Sequence, residues 1–313
     1  MKVILFYISS HGFGHITRVL ARIESFIDTY PGKIYLSCGK SQISFAQKYL
    51  AKYSDKIIYN SITTDIGLIN KKDSLEVDIN NTQSSLIKFI DSWDLLINKE
   101  LETIAYFDVD CIITDISPIG MIIGKLLGKK VIAISNFTWY NQYKHLNLPS
   151  KILNAYLDAE SFIDEFWSYP LSLDLSHIKC SIKKVDFICR KFDVKKIDYL
   201  KRKYGKSIYI SVGKSATIGA IPIHDFSGTV FITTGVTVIG NNLNVIELPE
   251  DTLDTHNYLA ASIKAIIKAG WSTVSEAICA NVPMTLLERP NILEDTHIIK
   301  SCKDLYNASS FKL

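Results

Sequence analysis

The sequence predicts an α/β protein with two domains, each a doubly wound sheet of parallel strands. Short apolar runs rich in isoleucine and valine alternate with stretches of helical spacing, as in sheets whose strands are buried on both faces. The alternation stops in a polar connecting stretch and starts afresh near position 207. A length of 313 residues is also long for a single hydrophobic core. We expect the domains to span 1–186 and 187–313 and to face a cleft that binds the ligand.

The first domain begins with the strand KVILFYIS and a helix from about Thr17. The strand KIYLSC (33–38), a helix over 43–53 and the strand KIIYNSI (56–62) follow. A long polar stretch leads to one helix over 85–107. The remaining predicted elements are the strand DCIITD (110–115), the helix GMIIGKLLG (120–128), the strand KVIAISN (130–136) and polar helical material over 149–169. Such alternation implies right-handed crossovers between parallel strands.

The second domain begins with the strand SIYISVG (207–213). The strands TVFITTG (229–235) and NVIELPE (244–250) follow, and we predict a helix over LAASIKAII (259–267). In KAGWSTVSEAICANVP (268–283), a glycine and small hydroxyl residues open another helix, and MTLLER (284–289) is the last predicted strand.

Composition and charge exclude several classes of protein. The net charge is only +3 and the Lys and Arg residues are dispersed, which argues against nucleic acid as the main partner. No stretch approaches the roughly 18 apolar residues that span a bilayer, and the apolar start is too short for a signal peptide. We therefore expect a cytoplasmic protein. The six cysteines show no CxxC spacing, which predicts buried free thiols rather than a disulfide framework or a zinc site.

Polar residues follow the strands of the first domain, where ligands of open parallel sheets bind. His15 lies in the GFGH turn after the first strand, and Asp115 and Asn136 end two later strands. Glycines in that turn let a ligand approach the backbone, and His15 offers a base near neutral pH that Asp115 can orient. The alternatives are a tight turn with an incidental histidine and an aspartate that caps the next helix.

The corresponding residues of the second domain are Gly213, Lys214 and Ser215 in SVGKSA, and Lys268, Gly270, Ser272, Thr273 and Glu276 in KAGWSTVSEA. The free N–H groups and positive dipole end of a helix that starts there would bind a phosphate. The carboxylate of Glu276 suits a ribose diol. As an alternative, the hydroxyls cap the helix and Glu276 completes a capping box with Thr273.

The segment GWSTVSEAICANVP resembles the donor-binding segment of the GT-B nucleotide-sugar glycosyltransferases, which include plant natural-product enzymes and bacterial lipid-linked N-acetylglucosaminyltransferases. The resemblance implies that Ser272 and Thr273 contact the diphosphate and Glu276 the ribose. Lys268 stands where the plant signature has a phosphate-binding histidine. Glu294 and Asp295 are an approximate counterpart of the Asp-Gln pair that holds the sugar hydroxyls.

The segment GFGHITR resembles the amino-terminal glycine–histidine turn of the same family, which implies that His15 is the base; Asp115 in IITD matches the acid that supports it. Together, GFGHITR, ITDISP, SNFTW and KAGWSTVSEA also resemble the subgroup fused to sugar kinases in arabinokinase-like proteins. We expect the acceptor side to contain Gly14, Arg18, Asn136 and Trp139. An aromatic ring there can stack on a sugar; the alternative is a helix packed on its own domain.

These observations predict an inverting glycosyltransferase that uses a nucleoside-diphosphate sugar, with uridine as the expected nucleoside, and an unknown acceptor. Peripheral membrane contact is expected only if that acceptor is a lipid. No cofactor and no metal are expected, because Lys214 or Lys268 can neutralise a diphosphate and the DVD motif at 108–110 lies at the amino end of a strand.

Three alternatives stay open. A nucleotide-sugar 2-epimerase shares this fold. A nucleotide-sugar-binding module without turnover is the second, since the sequence stops soon after RPNILEDTHIIKSCKDLYN, where this fold usually continues. The third is a nicotinamide-dependent oxidoreductase, although GFGH lacks the third glycine of its fingerprint.

Overall fold

The computed structural model describes residues 2–72, 74–213 and 220–312 and divides into two compact units. The first unit contains Met1–His11, Arg22–Ile69 and Asp78–Asp186. The second contains Phe187–Leu313 together with two short segments of the amino-terminal half, Gly12–Ala21 and Asn70–Val77. Each unit is built around a parallel sheet.

The strands of the first unit are β1 (Lys2–Ile8), β2 (Lys33–Cys38), β3 (Ile57–Ser61), β4 (Asp108–Asp115), β5 (Val131–Ser135), β6 (Glu165–Ser168) and β7 (Ser181–Lys184). They form one sheet in the order β3-β2-β1-β4-β5-β6-β7, and all neighbours are parallel. Strands β1 and β5 are buried almost throughout, as strands covered on both faces should be.

The helices of the amino-terminal half are α1 (Gly14–Glu24), α2 (Lys40–Tyr49), α3 (Ile79–Asp91), α4 (Trp93–Ile104), α5 (Pro118–Leu127), α6 (Trp139–His145) and α7 (Ser150–Glu160), with a 3-10 turn at Ala51–Tyr53. The single helix predicted over 85–107 is wrong, because α3 ends and α4 begins around Ser92, whose hydroxyl donates to the Phe89 carbonyl at 2.7 Å. A side chain that competes for backbone groups in this way favours a helix end.

A buried carboxylate fastens α4 to the sheet. Glu100 is 2% exposed, and its Oε1 accepts hydrogen bonds from the Tyr7 and Tyr35 hydroxyls, each at 2.9 Å. Its Oε2 accepts a third from the Asn60 amide at 2.9 Å. A buried charge of this kind requires such partners, so the contacts align strands β1, β2 and β3 beneath α4.

The second unit contains the strands β8 (Ser207–Ser211), β9 (Ala220–Pro222), β10 (Gly228–Ile232), β11 (Thr237–Ile239), β12 (Leu243–Glu247), β13 (Lys264–Lys268), β14 (Met284–Glu288) and β15 (Ser309–Lys312). Its helices are α8 (Val194–Tyr204), α9 (Thr255–Ala261), α10 (Trp271–Cys279) and α11 (Leu293–Tyr306). Six strands form a parallel sheet in the order β12-β10-β8-β13-β14-β15, while β9 and β11 pair separately.

The helix predicted over 259–267 is wrong in its second half. Ser262 adopts an extended conformation, and the following residues form β13 in the middle of the sheet, where Ile266 pairs with Ile210 of β8 and Thr285 of β14. A short apolar run has no periodicity that distinguishes a buried helix turn from a buried strand. The correction places Lys268 at the carboxyl end of a central strand.

The predicted fold class, α/β with doubly wound parallel sheets, is confirmed by the seven-stranded and six-stranded parallel sheets. In the part of the chain that the structure describes, no helix is both long enough and apolar enough to cross a bilayer.

Candidate functional site

The turn after β1 carries the first group of candidate residues. Gly12 has φ +62°, in the left-handed region that glycine adopts without strain. Helix α1 begins at Gly14, three residues before its predicted start, so His15 lies in its first turn. His15 and Arg18 are both buried, and Arg18 Nη2 lies 2.9 Å from His15 Nδ1. These two side chains are therefore within hydrogen-bonding distance of each other.

The second group lies at the amino end of α10. The cap residue Gly270 supplies no side chain, and the structure shows no side-chain cap at this helix end. The capping box of Thr273 and Glu276, the alternative to a phosphate site, is therefore not formed. The backbone N–H groups of the first turn, which begins at Trp271, therefore donate no hydrogen bond to a cap side chain.

The two groups meet within the second unit. Ser272 Oγ donates a hydrogen bond to the Gly14 carbonyl oxygen at 2.7 Å. The Arg18 guanidinium lies 5.6 Å from the centre of the Trp271 ring. The first turn of α10 therefore contacts the first turn of α1, and the Ser272 hydroxyl that was predicted to bind phosphate is here engaged by the backbone.

Lys268 lies beside this helix end. Its Nζ would be only 2.8 Å from a Cβ atom at position 213, where Gly213 has φ +78°. Burial, and after it the positive charge of Arg289, lowers the pKa of Lys268 to about 8, although the negative charge of Asp295 opposes the shift. No hydrogen bond or ion pair joins its ammonium group to another residue of the described ranges. Lys214 and Ser215, also predicted for this site, lie outside the described residues.

Glu276, the predicted ribose ligand, is buried in an ion pair. Its Oε1 accepts hydrogen bonds from Arg190 Nε at 3.0 Å and Nη2 at 2.8 Å. Arg190 also donates to the Leu253 carbonyl oxygen at 2.6 Å and to Thr255 Oγ1 at 3.3 Å. The carboxylate is therefore held in one orientation by a residue that the sequence analysis missed.

Asp295 forms a second buried ion pair. Its two carboxylate oxygens accept from Arg289 Nε at 2.6 Å and Nη2 at 2.5 Å, and its side chain is 1% exposed. A two-pronged pair of this kind is geometrically specific. Glu294, the adjacent carboxylate in the first turn of α11, is predicted with Asp295 to hold sugar hydroxyls.

The first unit contributes Asp115, at the carboxyl end of β4. Asp115 is buried, and the next residue, Ile116, has φ +51°, an outlier for a β-branched side chain. The Ser117 N–H donates to Thr114 Oγ1 at 3.0 Å and helps to hold this turn. Ser117, not Asp115, is the cap residue of α5. Strained backbone of this kind concentrates at functional sites.

Asn136 follows β5, the neighbour of β4, and is fully buried. Trp139, expected on the acceptor side, is also buried at 1% exposure. Its Nε1 donates to Asp65 Oδ2 at 2.8 Å, and its ring stacks on Tyr143 at 5.5 Å. Of the two alternatives for Trp139, the structure therefore shows the helix packed on its own domain, because this ring offers no open face to a sugar.

Sequence reasoning missed Asp65 and left His11 without a role. Asp65 Oδ1 accepts from the Ser10 N–H at 2.9 Å, so the same carboxylate holds both the turn after β1 and Trp139. His11 Nδ1 accepts from the Leu68 N–H at 3.3 Å, and its ring meets the Trp139 edge at 5.4 Å. The available signal was an acidic residue shortly after the third predicted strand.

The DVD motif lies in the first half of β4, where Lys2 Nζ is 3.8 Å from Asp110 Oδ1. Across residues 2–72, 74–213 and 220–312, the structure contains no group of three or more His, Cys, Asp or Glu side chains arranged to hold a metal ion.

Of the predicted buried thiols, Cys38 and Cys302 are buried, whereas Cys111, Cys180 and Cys189 are half-buried. Cys279, at the end of α10, is exposed. A hydrogen bond from the Cys189 thiol lowers the pKa of Cys279 to about 7 and raises that of Cys189 far above its ordinary value. Burial raises the pKa of Cys38 and Cys302. Cys279 is thus the described cysteine that is both exposed and ionised near neutral pH.

We expect iodoacetamide at pH 7 to label Cys279 first, about tenfold faster than a thiol of ordinary pKa, because the thiolate is the nucleophile. The labelling rate should rise as pH increases through about 7, and Cys189→Ala should slow it. Peptide mass spectrometry after timed labelling measures both effects. Faster labelling of any other cysteine would contradict the thiol pair.

Comparison of the sequence with known proteins finds one relative that aligns with nearly the whole chain. No family model matches it. L-arabinokinase of Arabidopsis thaliana is 21% identical over 317 aligned positions, which cover 94% of this chain and 29% of that protein. The chain therefore spans less than a third of the length of this relative.

Solved structures of glycosyltransferases are similar over nearly the entire chain. UGT2 of Phytolacca americana, complexed with UDP-2fluoro-glucose and pterostilbene, has a TM-score of 0.64 at 13% identity, covering 99% of this chain and 85% of that one. Arabidopsis thaliana UGT89C1, complexed with UDP-L-rhamnose, has a TM-score of 0.65 at 10% identity, covering 100% and 85%. The glycotransferase of kitacinnamycin has a TM-score of 0.66 at 11% identity, covering 99% and 86%. The chain has the GT-B fold, as its motifs predicted.

Proposed function

We propose that the protein is an inverting glycosyltransferase that moves a sugar from a uridine-diphosphate sugar to an acceptor of unknown identity. One observation carries the proposal. In a chain with the fold of UDP-glycosyltransferases, the Lys268 ammonium lies at the end of β13, directly before the uncapped amino end of α10. A cation beside the positive dipole end of a helix suits a diphosphate.

The donor roles follow from this arrangement. Lys268 and the N–H groups after Gly270 bind the diphosphate, with Thr273 as a further hydroxyl and Ser272 once it leaves the Gly14 carbonyl. Glu276, oriented by Arg190, accepts from the ribose hydroxyls. These groups stabilise the negative charge of the departing diphosphate.

The acceptor roles rest on the resemblance of GFGHITR and IITD to the family motifs. His15 takes the proton of the acceptor hydroxyl as its oxygen bonds to the anomeric carbon and the bond from that carbon to the diphosphate oxygen breaks. Asp115 supports the charge that His15 then carries.

A thermal-shift screen tests the donor assignment. It uses the diphosphates of uridine, guanosine, thymidine and adenosine, their sugars and the nicotinamide cofactors. A ligand at about 100 times its dissociation constant adds roughly 2.7 kcal/mol, which raises the melting temperature of a chain of this size by a few degrees. We expect a shift with UDP and UDP-sugars; a shift with nicotinamide cofactors alone would overturn the proposal.

The affinity for UDP should fall as pH rises through about 8, because the Lys268 ammonium loses its proton there. Lys268→Met should bind UDP about 10–100-fold more weakly at pH 7, the loss of a charge-assisted hydrogen bond. Calorimetric titrations between pH 6.5 and 9.5 measure both effects. Lys268→Arg is the matched control, since its charge persists over this range and should flatten the pH dependence. An unchanged pH profile in Lys268→Met would remove Lys268 from the diphosphate site.

A second candidate function is a nucleotide-sugar-binding module without turnover. It is favoured by the sequence relative, an arabinokinase of which this chain matches 29%, because such a segment can serve a neighbouring catalytic domain. UDP-sugar binding without UDP release in the presence of any acceptor would support this candidate.

A further inference from the structure

The contact between Arg18 and His15 has a defined direction. Arg18 Nη2 lies 2.9 Å from His15 Nδ1. A guanidinium has only donors, so Nδ1 must accept, and the proton of the neutral imidazole is then on Nε2. In this arrangement neither ring nitrogen can take a proton, because Nε2 already carries one and Arg18 occupies the lone pair of Nδ1.

The local structure holds this pair in place. His15 and Arg18 are three positions apart on α1, a spacing that puts them on one face of the helix. Arg18 is 3% exposed, and its guanidinium lies 5.6 Å from the ring centre of Trp271, the first residue of α10. The same guanidinium therefore lies beside both the candidate base and the indole ring of the first residue of α10, the helix assigned to the donor diphosphate.

We propose that Arg18 is a positioning residue that withholds His15 from proton transfer until a donor diphosphate at the α10 amino end draws its guanidinium away. The proposal rests on the proposed function. A guanidinium prefers the charged oxygens of a phosphate to a neutral imidazole nitrogen, because it pairs with them in a charge-assisted, two-pronged geometry.

The consequence is an order of events. Once Arg18 has moved, the lone pair of Nδ1 is available, and His15 takes the acceptor proton to become an imidazolium while the sugar bond to the diphosphate breaks. While Arg18 donates to Nδ1, the lone pair of this nitrogen is occupied. Arg18, which the sequence analysis assigned to the acceptor side, thus links donor binding to activation of the base.

The test is nitrogen NMR of the full chain labelled with ¹⁵N-histidine, with the His15 signals assigned by their loss in His15→Asn. In the absence of nucleotide, Arg18→Met should change the ¹⁵N chemical shift of His15 Nδ1. The shift should move from the value of a nitrogen that accepts a hydrogen bond to the value of one that accepts none. Saturating UDP should move the wild-type resonance to the Arg18→Met position. Arg22→Met, one turn further along α1, is the matched control and should leave the resonance in place.

Two results would overturn this proposal while leaving the proposed function in place. An Nδ1 resonance that Arg18→Met leaves unchanged would show that Arg18 does not bind this atom. UDP that binds the wild type without moving the resonance would show that the diphosphate does not release it. If UDP causes no thermal shift, the proposed function and the release of Arg18 by a diphosphate are both wrong. The comparison of the wild type with Arg18→Met in the absence of nucleotide would still show whether Arg18 donates to Nδ1. A melting curve of Arg18→Met confirms that the variant is folded.

Discussion

His15→Ala is expected to lower kcat by about 10²–10⁴-fold, the usual contribution of general base catalysis, without lowering the affinity for UDP. The diphosphate is assigned to Lys268 and the amino end of α10, and neither depends on the imidazole. The loss should therefore be confined to the transition state, where the acceptor proton moves. Turnover is measured as UDP release from a UDP-sugar with a panel of hydroxylated acceptors, and affinity by calorimetry.

His11→Ala is the matched control for this prediction. It removes a second histidine of the same turn, one that accepts from the Leu68 N–H and contacts Trp139. We expect it to lower stability with a much smaller effect on kcat. Equal losses of kcat in the two variants would argue that His15 acts through the shape of the turn, and unaltered turnover in His15→Ala would eliminate it as the base.

Arg190→Met is expected to lower the free energy of unfolding by about 3–5 kcal/mol, since it leaves the buried Glu276 carboxylate without its partner. Arg190 and Glu276 have side chains that are 4% and 8% exposed, so water cannot replace the lost hydrogen bonds. The double variant with Glu276→Met should recover the part of this loss that comes from the unpaired charge. Urea unfolding of the wild type, Arg190→Met and the double variant measures the differences.

Lys71→Met is the matched control for Arg190→Met, because it breaks an ion pair that is exposed to solvent. Lys71 and Glu76 lie 2.6 Å apart in the same unit, but their side chains are 52% and 43% exposed, and a surface pair contributes less than about 1 kcal/mol. A loss in Arg190→Met no larger than in Lys71→Met would mean that the Glu276 carboxylate is hydrated. Arg190 would then not be the residue that orients it.

Much of the architecture was predictable because strand signals are local. Isoleucine-rich and valine-rich runs such as KVIAIS become buried parallel strands, since only a strand covered on both faces is apolar at every position. The wrong predictions arise for the same reason, because a local signal contains no information about distant strands. The run IKAII in 259–267 suits either a helix or a buried strand. It forms a strand because it pairs with β8 and β14, which are distant in sequence.

The sequence by itself determined which chemical groups stand at the strand ends: a histidine after β1, an aspartate ending β4, and a lysine ending β13 with small hydroxyl residues in the first turn of α10. Only the tertiary structure decided their partners. Arg190 binds Glu276 from 86 positions away, and Asp65 joins Ser10 to Trp139. Such pairs leave no periodicity in the chain, because hydrogen bonds and ion pairs depend on distances that exist only after the sheets form. The Arg18–His15 contact is local in sequence, yet its importance depends on Trp271, which only folding brings beside it.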